Sequence, residues 1–377
     1  MSGCQFCVRF TASLKRVLRR SEWFAMSISD ESQPPNKKMN IENGDGKTQQ
    51  PKIGTHNGSF HCDEVLACFM LKQLPKYKNA RIVRSRDPAV LDECDIVVDV
   101  GGIFDPAKNR FDHHQRTFDE TMNSLNSKMK WTTKLSSAGL VYFHFGREVL
   151  SHIILPQTID DDTMDVIYNK MYDNFVEEID AVDNGVDQYD GEPRYRVTST
   201  IGARVGRTNP SWNEKNCDEQ ALFMKAMEMV GTEFKQRILG FINSWLPARS
   251  LVEDAIKQRF EVHKSGEIIE LKHFCPWKDH LFTLEEEQTI EPAIKYVIYA
   301  DAAGKARVQC VPAGKNTFEN RLSLLSQWKG LRDEELSKTC GIPDCIFVHA
   351  SGFIGGNKTK EGALAMAVKS LQAQGCG

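Results

Sequence analysis

Two short segments and one strand end concentrate the groups able to hold a divalent cation. His56-Asn57-Gly58-Ser59-Phe60-His61-Cys62-Asp63-Glu64 offers His56, His61 and Asp63, and Phe111-Asp112-His113-His114 offers His113. Between them Asp99 ends the apolar run Ile96-Val97-Val98, where an unpaired carboxylate would be costly. A lone histidine is usually a satisfied side chain. Here four of the ten histidines fall in two motifs that also supply acids. Imidazole with carboxylate favours Mn²⁺ or a similar ion over Ca²⁺ or a structural Zn²⁺. Two such ions flanking a water would make a phosphoester-cleaving centre.

Two further segments carry charge or glycine. Phe175-Val176-Glu177-Glu178-Ile179-Asp180-Ala181-Val182-Asp183-Asn184-Gly185 reads as the acidic end of a helix, where acids oppose the helix dipole. Asp180 and Asp183 both remain candidates there. His349-Ala350-Ser351-Gly352-Phe353-Ile354-Gly355-Gly356-Asn357-Lys358-Thr359-Lys360 reads as a glycine-rich turn before a helix. Gly355 and Gly356 would let backbone approach a phosphate, and Lys358 and Lys360 add positive charge. Arg204, Arg207, Arg321 and Arg332 are further candidate phosphate contacts.

The elements that must position these groups follow from periodicity. Ile53 to His56, Ala80 to Arg84 and Ile96 to Val100 read as strands, with a helix from Glu64 to Leu74 that Asp63 would cap. This βαβ pattern implies a parallel α/β sheet, whose ligands bind beyond the carboxyl ends of strands. Helices are expected at Ser137 to Leu150 and Asp162 to Ile179. A long helical stretch from Asp218 to Phe260 should bend near Trp245-Leu246-Pro247. Beyond it, strand-like runs at Glu267 to Leu271, Tyr296 to Tyr299, Arg307 to Val311 and Cys345 to His349, with a helix from Glu361 to Gln372, describe a smaller α/β domain.

With 377 residues, 41% of them hydrophobic, and a net charge of −3, the chain is long enough for two domains and is no basic nucleic-acid coat. No apolar run is long enough to span a membrane, so membrane insertion is not expected. Eleven scattered cysteines read as reduced thiols, and Cys4-x-x-Cys7 as incidental. Residues 1–25 carry Arg9, Lys15, Arg16, Arg19 and Arg20 before the first acid, Glu22, with apolar residues interleaved. That composition resembles a mitochondrial transit peptide. Initiation at Met26 would yield a form for the nucleus, nucleolus or cytoplasm. Residues 26–51 read as a disordered linker. The division continues as 52–235, metal-binding domain; 236–260, helical connector; and 261–377, C-terminal domain.

The order His-x4-His-x-Asp, Val-Val-Asp-Val-Gly, Asp-His-His and an acidic segment resembles the DHH phosphoesterase superfamily, which includes exonucleases, oligoribonucleases and manganese pyrophosphatases. Thr55 to Glu64, Phe111 to Gln115 and Phe175 to Gly185 resemble more closely one branch, the melanocyte-proliferating-gene (MYG) family of eukaryotic proteins. The likeness runs from Lys52 to the C-terminus. It implies a DHH phosphoesterase-like parallel-sheet domain and a smaller C-terminal α/β substrate-binding domain. His56, His61 and Asp99 would hold one ion, and Asp63, Asp99, His113 and Asp183 the other, with Asp99 bridging. His114 would face the scissile phosphate and Asp112 would orient the motif. The resemblance favours Asp183 over Asp180, because Asp-Asn-Gly matches the family's turn best. His61 stands where most of the superfamily has aspartate.

It further implies a 3′→5′ exoribonuclease using two Mn²⁺, with Mg²⁺ as the alternative. Single-stranded RNA or short oligonucleotides would be its partners, their phosphates contacted by Gly355, Gly356, Lys358, Lys360, Arg204 and Arg332. A pyrophosphatase or small-nucleotide phosphodiesterase on the same centre, and a catalytically silent RNA-binding protein, are the rival expectations.

Overall fold

The structure is a computed structural model and describes residues 50–374. The basic start, the Met26 site, Cys4, Cys7 and nearly all of the linker lie outside the described residues. Two compact units meet at Leu239 and Gly240.

The first unit opens with β1 (Lys52–Thr55), α1 (Cys62–Leu71), β2 (Arg81–Arg84), β3 (Ile96–Val98), β4 (Phe104–Asp105) and β5 (Arg110–Phe111). Its sheet runs β2-β1-β3-β5-β4. The first four of these strands pair in parallel, and β4 closes the edge antiparallel to β5. The βαβ expectation therefore holds, with an antiparallel edge added. Pairing of Gly54 with Val97 and of Val98 with Phe111 brings the ends of β1, β3 and β5 level. The residues that follow those ends are His56, Asp99 and Asp112.

Strand β3 stops at Val98, two residues short of the expected Ile96 to Val100. Asp99 adopts a left-handed conformation, φ 59°, and Gly101 and Gly102 continue with positive φ. Such a turn is uncommon for a non-glycine residue, though aspartate tolerates it better than most. Helix α1 likewise starts earlier than expected. His61 is its N-cap, and Asp63 lies inside the first turn rather than capping it.

All ten residues of α1 are buried, as befits a helix with apolar side chains on every face. It packs against α2 (Ser137–Ile154). Further along come α3 (Asp161–Met171), α4 (Glu177–Asp183), α5 (Ile201–Gly206) and α6 (Glu219–Gly240). On α6, Gly231 lets that helix close on α1, since a Cβ there would stand 2.0 Å from the Phe69 ring. The segment expected as one helix from Asp162 to Ile179 is broken by a π-helical turn at Tyr172–Val176. That turn separates α3 from the acidic α4. A second π turn, Phe241–Trp245, comes just before Pro247, where the long helix was expected to bend.

The second unit contains α7 (Leu246–Lys257), β6 (Ile268–Glu270), α8 (Lys278–Gln288), β7 (Tyr296–Ala300), β8 (Ala306–Cys310), α9 (Asp333–Cys340), β9 (Cys345–Val348), β10 (Ile354–Asn357) and α10 (Lys360–Gln374). Its sheet, β6-β7-β8-β10-β9, is parallel only between β6 and β7. Alternation along β7 feeds two cores. Tyr296 and Ile298 join Val308 and Trp328, whereas Val297 and Tyr299 join Trp277 and Leu281.

The stretch read as a glycine-rich turn is corrected here. Gly355 and Gly356 lie in β10, paired with β8 and β9. A Cβ at Gly355 would sit 2.9 Å from Met366 Cε, and one at Gly356 2.6 Å from Arg307 Nη1. Close packing is therefore one reason for glycine at these positions. Among the described residues all eight cysteines are free thiols, and no helix is long and apolar enough to cross a membrane.

Candidate metal centre

The loop between β1 and α1 is held from two directions. Arg84 Nε donates to the His56 carbonyl at 3.2 Å, and its Nη2 donates to the Gly58 carbonyl. The guanidinium also lies over the Phe60 and Phe223 rings, 5.4 and 5.0 Å from their centroids. Asn209 accepts from Phe60 N–H at 2.9 Å and donates to the Phe60 carbonyl at 2.8 Å. These contacts fix the loop that carries His56 and His61.

At the carboxyl edge of the sheet, Asp99 stands between two imidazoles. Its Oδ2 is 3.3 Å from His56 Nε2 and its Oδ1 is 3.1 Å from His113 Nε2. His56 Nδ1 lies 3.0 Å from the Asn57 carbonyl. A proton on that nitrogen would leave Nε2 with its lone pair turned toward Asp99. His113 Nε2 also meets Asp183 Oδ2 at 3.2 Å and Asp63 Oδ2 at 3.8 Å. His61 offers a ring nitrogen within 4.8 Å of donor atoms on His56 and Asp99, and equally of Asp63 and Asp183. The residues expected to hold metal are thus gathered in one place.

The two candidate acids of the fourth segment part company. Asp183 reaches the cluster, while Asp180 turns away from it. Asp180 Oδ1 accepts from Ser136 N–H, Ser136 Oγ–H and Gly139 N–H, and its Oδ2 accepts from Tyr172 Oη–H at 2.8 Å. It anchors the start of α2 and is fully buried.

Glu64 is the residue that sequence reasoning passed over. It is fully buried, with Oε1 3.1 Å from His56 Nε2. Its place in the first turn of an apolar helix reads as a capping acid, and its carboxylate does accept the His61 N–H. Direct adjacency to Asp63 in a buried helix was the available signal.

Burial opposes the charges on His56, Glu64, Asp99, His113 and Asp183, and partners decide where each group ends. It works against protonated His56, but Asp99 and Glu64 outweigh it and push the imidazole up to about 10. His113 is likewise pushed up to about 9 by Asp99 and Asp63 against burial. Burial raises Glu64 and Asp183 to about 8 each, aided for Asp183 by Asp63. Asp99 also suffers burial, yet His113 and His56 hold it well below the usual carboxylate range. Asp63 Oδ1 is buried with no hydrogen-bond partner. A buried orphan carboxylate oxygen beside three other acids and two imidazoles fits a site for divalent cations, which would relieve the repulsion.

His114 differs from its neighbour. Its side chain is 61% exposed, so it can reach a substrate. Asp112 Oδ1 lies 2.7 Å from His114 Nδ1, while Asp112 Oδ2 accepts the Gly102 N–H at 2.5 Å. The cluster opens into a cavity of about 670 Å³, whose lining includes His61, His114, Arg116, Lys134, Val182 and Ile201. Arg116 and Lys134 are cations in this lining that the sequence reading did not single out.

Of the residues expected to contact substrate, Arg204 and Arg207 lie in the first unit and Gly355, Gly356, Lys358, Lys360, Arg321 and Arg332 in the second. Arg204 pairs with Glu233 at 2.5 Å and does not line this cavity. Arg207 donates to the Thr198 carbonyl. In the second unit Lys358 pairs with Asp344 at 2.9 Å, Lys360 with Glu270 at 3.1 Å, and Arg321 with Glu285 at 2.7 Å. Arg332 is exposed, 3.9 Å from Asp333.

Fold and cluster together define a class: an α/β protein with a candidate divalent-metal centre at the carboxyl edge of a parallel sheet. Residues 52–371 match the family profile MYG1_exonuc, described as "Uncharacterised protein family (UPF0160)". The chain belongs to this family. It is 56% identical to a mouse (Mus musculus) protein named MYG1 exonuclease, over 96% of this chain and 93% of that protein. It is 54% identical to the human (Homo sapiens) MYG1 exonuclease, over 91% of each. It is 46% identical to the Saccharomyces cerevisiae MYG1 protein YER156C, over 85% of this chain and 95% of that one.

Proposed function

We propose that this chain is a metal-dependent exonuclease of the DHH phosphoesterase superfamily, removing nucleotides from the 3′ end of single-stranded RNA. Relatives over nearly its whole length bear the name exonuclease. The observation that carries the reading is Asp99, one oxygen toward His56 and the other toward His113. A carboxylate so placed suits a bridge between two ions, one held with His56 and His61, the other with Asp63, His113 and Asp183. Mn²⁺ suits this donor set, with Mg²⁺ as the alternative. When bound, such ions supply a deprotonated water at neutral pH and offset the charge of a phosphodiester.

The protein's own groups do the rest. His114, exposed to the cavity and held through Nδ1 by Asp112, presents its other edge to a phosphoryl oxygen and donates a hydrogen bond as charge gathers there. Lys134 and Arg116, which line the cavity, attract the phosphate backbone. Val182 and Ile201 offer an apolar wall for a base or sugar.

The test is full-length protein with 5′-labelled single-stranded RNA and matching DNA, with Mn²⁺, Mg²⁺ or EDTA, beside Asp99→Ala and inorganic pyrophosphate. A metal-dependent ladder shortening from the 3′ end, absent in the variant and stronger on RNA, is expected. Cleavage of pyrophosphate or dinucleotides with strands left intact would move the reading to a small-substrate enzyme. We further propose a mitochondrial form, with a nuclear or cytoplasmic form initiated at Met26; imaging of tagged protein with Met26 altered tests it.

A further inference from the structure

We propose that Glu64 is a carboxylate ligand of the first ion, beside His56, His61 and Asp99. The inference rests on the metal-centre reading above and concerns the make-up of that same site. Glu64 follows Asp63 in the first turn of α1, yet its side chain points to the other half of the cluster. Asp63 Oδ2 accepts from Ser137 and faces His113, whereas Glu64 Oε1 is 3.1 Å from His56 Nε2. Adjacent helical residues diverge by about 100° around the axis, so two neighbours can serve two ions.

The approach distances suit a shared ion. Two donor atoms each about 2.1 Å from an ion, and at right angles across it, stand about 3.0 Å apart. From His56 Nε2, Glu64 Oε1 lies at 3.1 Å and Asp99 Oδ2 at 3.3 Å. One donor atom each from His56, His61, Glu64 and Asp99 falls within 4.8 Å of all the others.

The competing explanation is a helix cap. Both Glu64 oxygens accept the His61 N–H, at 2.9 and 3.0 Å. Capping needs only one acceptor and works at a solvent-exposed helix start. It gives no reason for full burial or for an oxygen against His56. A carboxylate oxygen has lone pairs for both tasks, so the cap can hold the ligand in place. Charge favours the same conclusion. Without Glu64, three carboxylates (buried Asp63 and Asp99 and partly buried Asp183) would face the four positive charges of two divalent ions. Glu64 makes the balance even in a place where unmatched charge is costly.

The experiment is Mn²⁺ titration of metal-free, full-length protein, followed by electron paramagnetic resonance of the free ion, for the wild type and Glu64→Gln. The amide oxygen of Gln still accepts the His61 N–H, so the cap survives while the anionic ligand is lost. The wild type should bind two ions. Glu64→Gln should bind one of them about 10- to 100-fold more weakly and leave the other within roughly threefold. Two ions bound by Glu64→Gln with wild-type affinities would overturn the proposal while leaving the metal centre standing. A wild type that binds no Mn²⁺ would overturn both. If Glu64→Gln does not fold, infrared spectra of wild-type protein ¹³C-labelled at its glutamate carboxyls decide. A glutamate carboxylate band shifted on Mn²⁺ addition supports ligation, and an unmoved spectrum refutes it.

Discussion

Asp112 Oδ1 lies 2.7 Å from Nδ1 of His114 and also accepts the His114 N–H at 3.1 Å. The pair settles which edge of the imidazole meets the cavity. The hydrogen bond that His114 Nδ1 donates to Asp112 pulls the His114 pKa upward against burial, keeping a proton available for donation. Replacement of His114 by Ala should lower kcat by about 10²- to 10³-fold, the usual loss for one donor to a developing oxyanion. Asp112→Asn, which can favour the wrong tautomer, should cost about 10- to 100-fold. Single-turnover rates on a labelled oligonucleotide separate these losses from weaker binding.

Asp99 reaches both halves of the cluster, so its removal should weaken both ions together. Wild-type protein with Mn²⁺ at about 100 times its Kd should gain about 2.7 kcal/mol for each ion bound, or roughly 5–10 °C in Tm per ion. EDTA should reverse the gain. Asp99→Ala should melt at the same temperature with and without Mn²⁺. A full Mn²⁺-dependent rise in the variant's Tm would contradict the bridging arrangement.

The Phe60–Asn209 pair joins residues 149 positions apart through two hydrogen bonds. Asn209→Ala should cost about 1–3 kcal/mol by leaving the Phe60 backbone groups without these partners. Because the same loop carries His56 and His61, Mn²⁺ affinity should fall along with stability. Arg84→Lys keeps a positive charge but cannot reproduce the guanidinium's two directed bonds, and should weaken Mn²⁺ in the same way. Calorimetric titration with Mn²⁺ reads both effects. An unchanged affinity in a destabilised variant would limit the clamp to folding.

Burial pushes the Asp180 carboxyl up to about 7, against the lowering effect of its Ser136, Tyr172 and Gly139 donors. The folded state then holds this proton more tightly than the unfolded state does. Stability is therefore fullest below the ordinary carboxyl value and declines as pH rises toward 7, after which this contribution is flat. Asp180→Asn keeps an oxygen for Ser136 and Gly139, and Tyr172 can turn its hydroxyl to accept from the amide. The difference in Tm between variant and wild type should grow in the variant's favour from pH 4 to 7. Parallel melts across that window would contradict the assignment.

How far the chain could be read varies element by element. The strands β1, β2 and β3 and helix α2 follow from apolar periodicity. The end of β3 does not, because Asp99 takes a left-handed turn inside a run of good strand formers. β10 was missed because Gly355 and Gly356 carry no strand propensity; their pairing comes from β8 and β9 on either side. The π turn after α3 was hidden because its residues continue a helical pattern.

What the sequence by itself determined is the chemistry on offer: His56, His61, Asp63, Asp99, His113 and one acid of the Asp180/Asp183 pair, with donor types suited to a transition-metal ion. Those properties belong to side chains and to local spacing. Tertiary structure decided the rest. Parallel pairing in the order β1-β3-β5 set the ends of three separate strands side by side. It drew Asp183 into the cluster and committed Asp180 to the start of α2. It also buried Glu64 against His56 while turning Arg204 toward Glu233. These outcomes depend on which elements pack together, and long-range packing leaves no mark in the spacing of neighbouring residues.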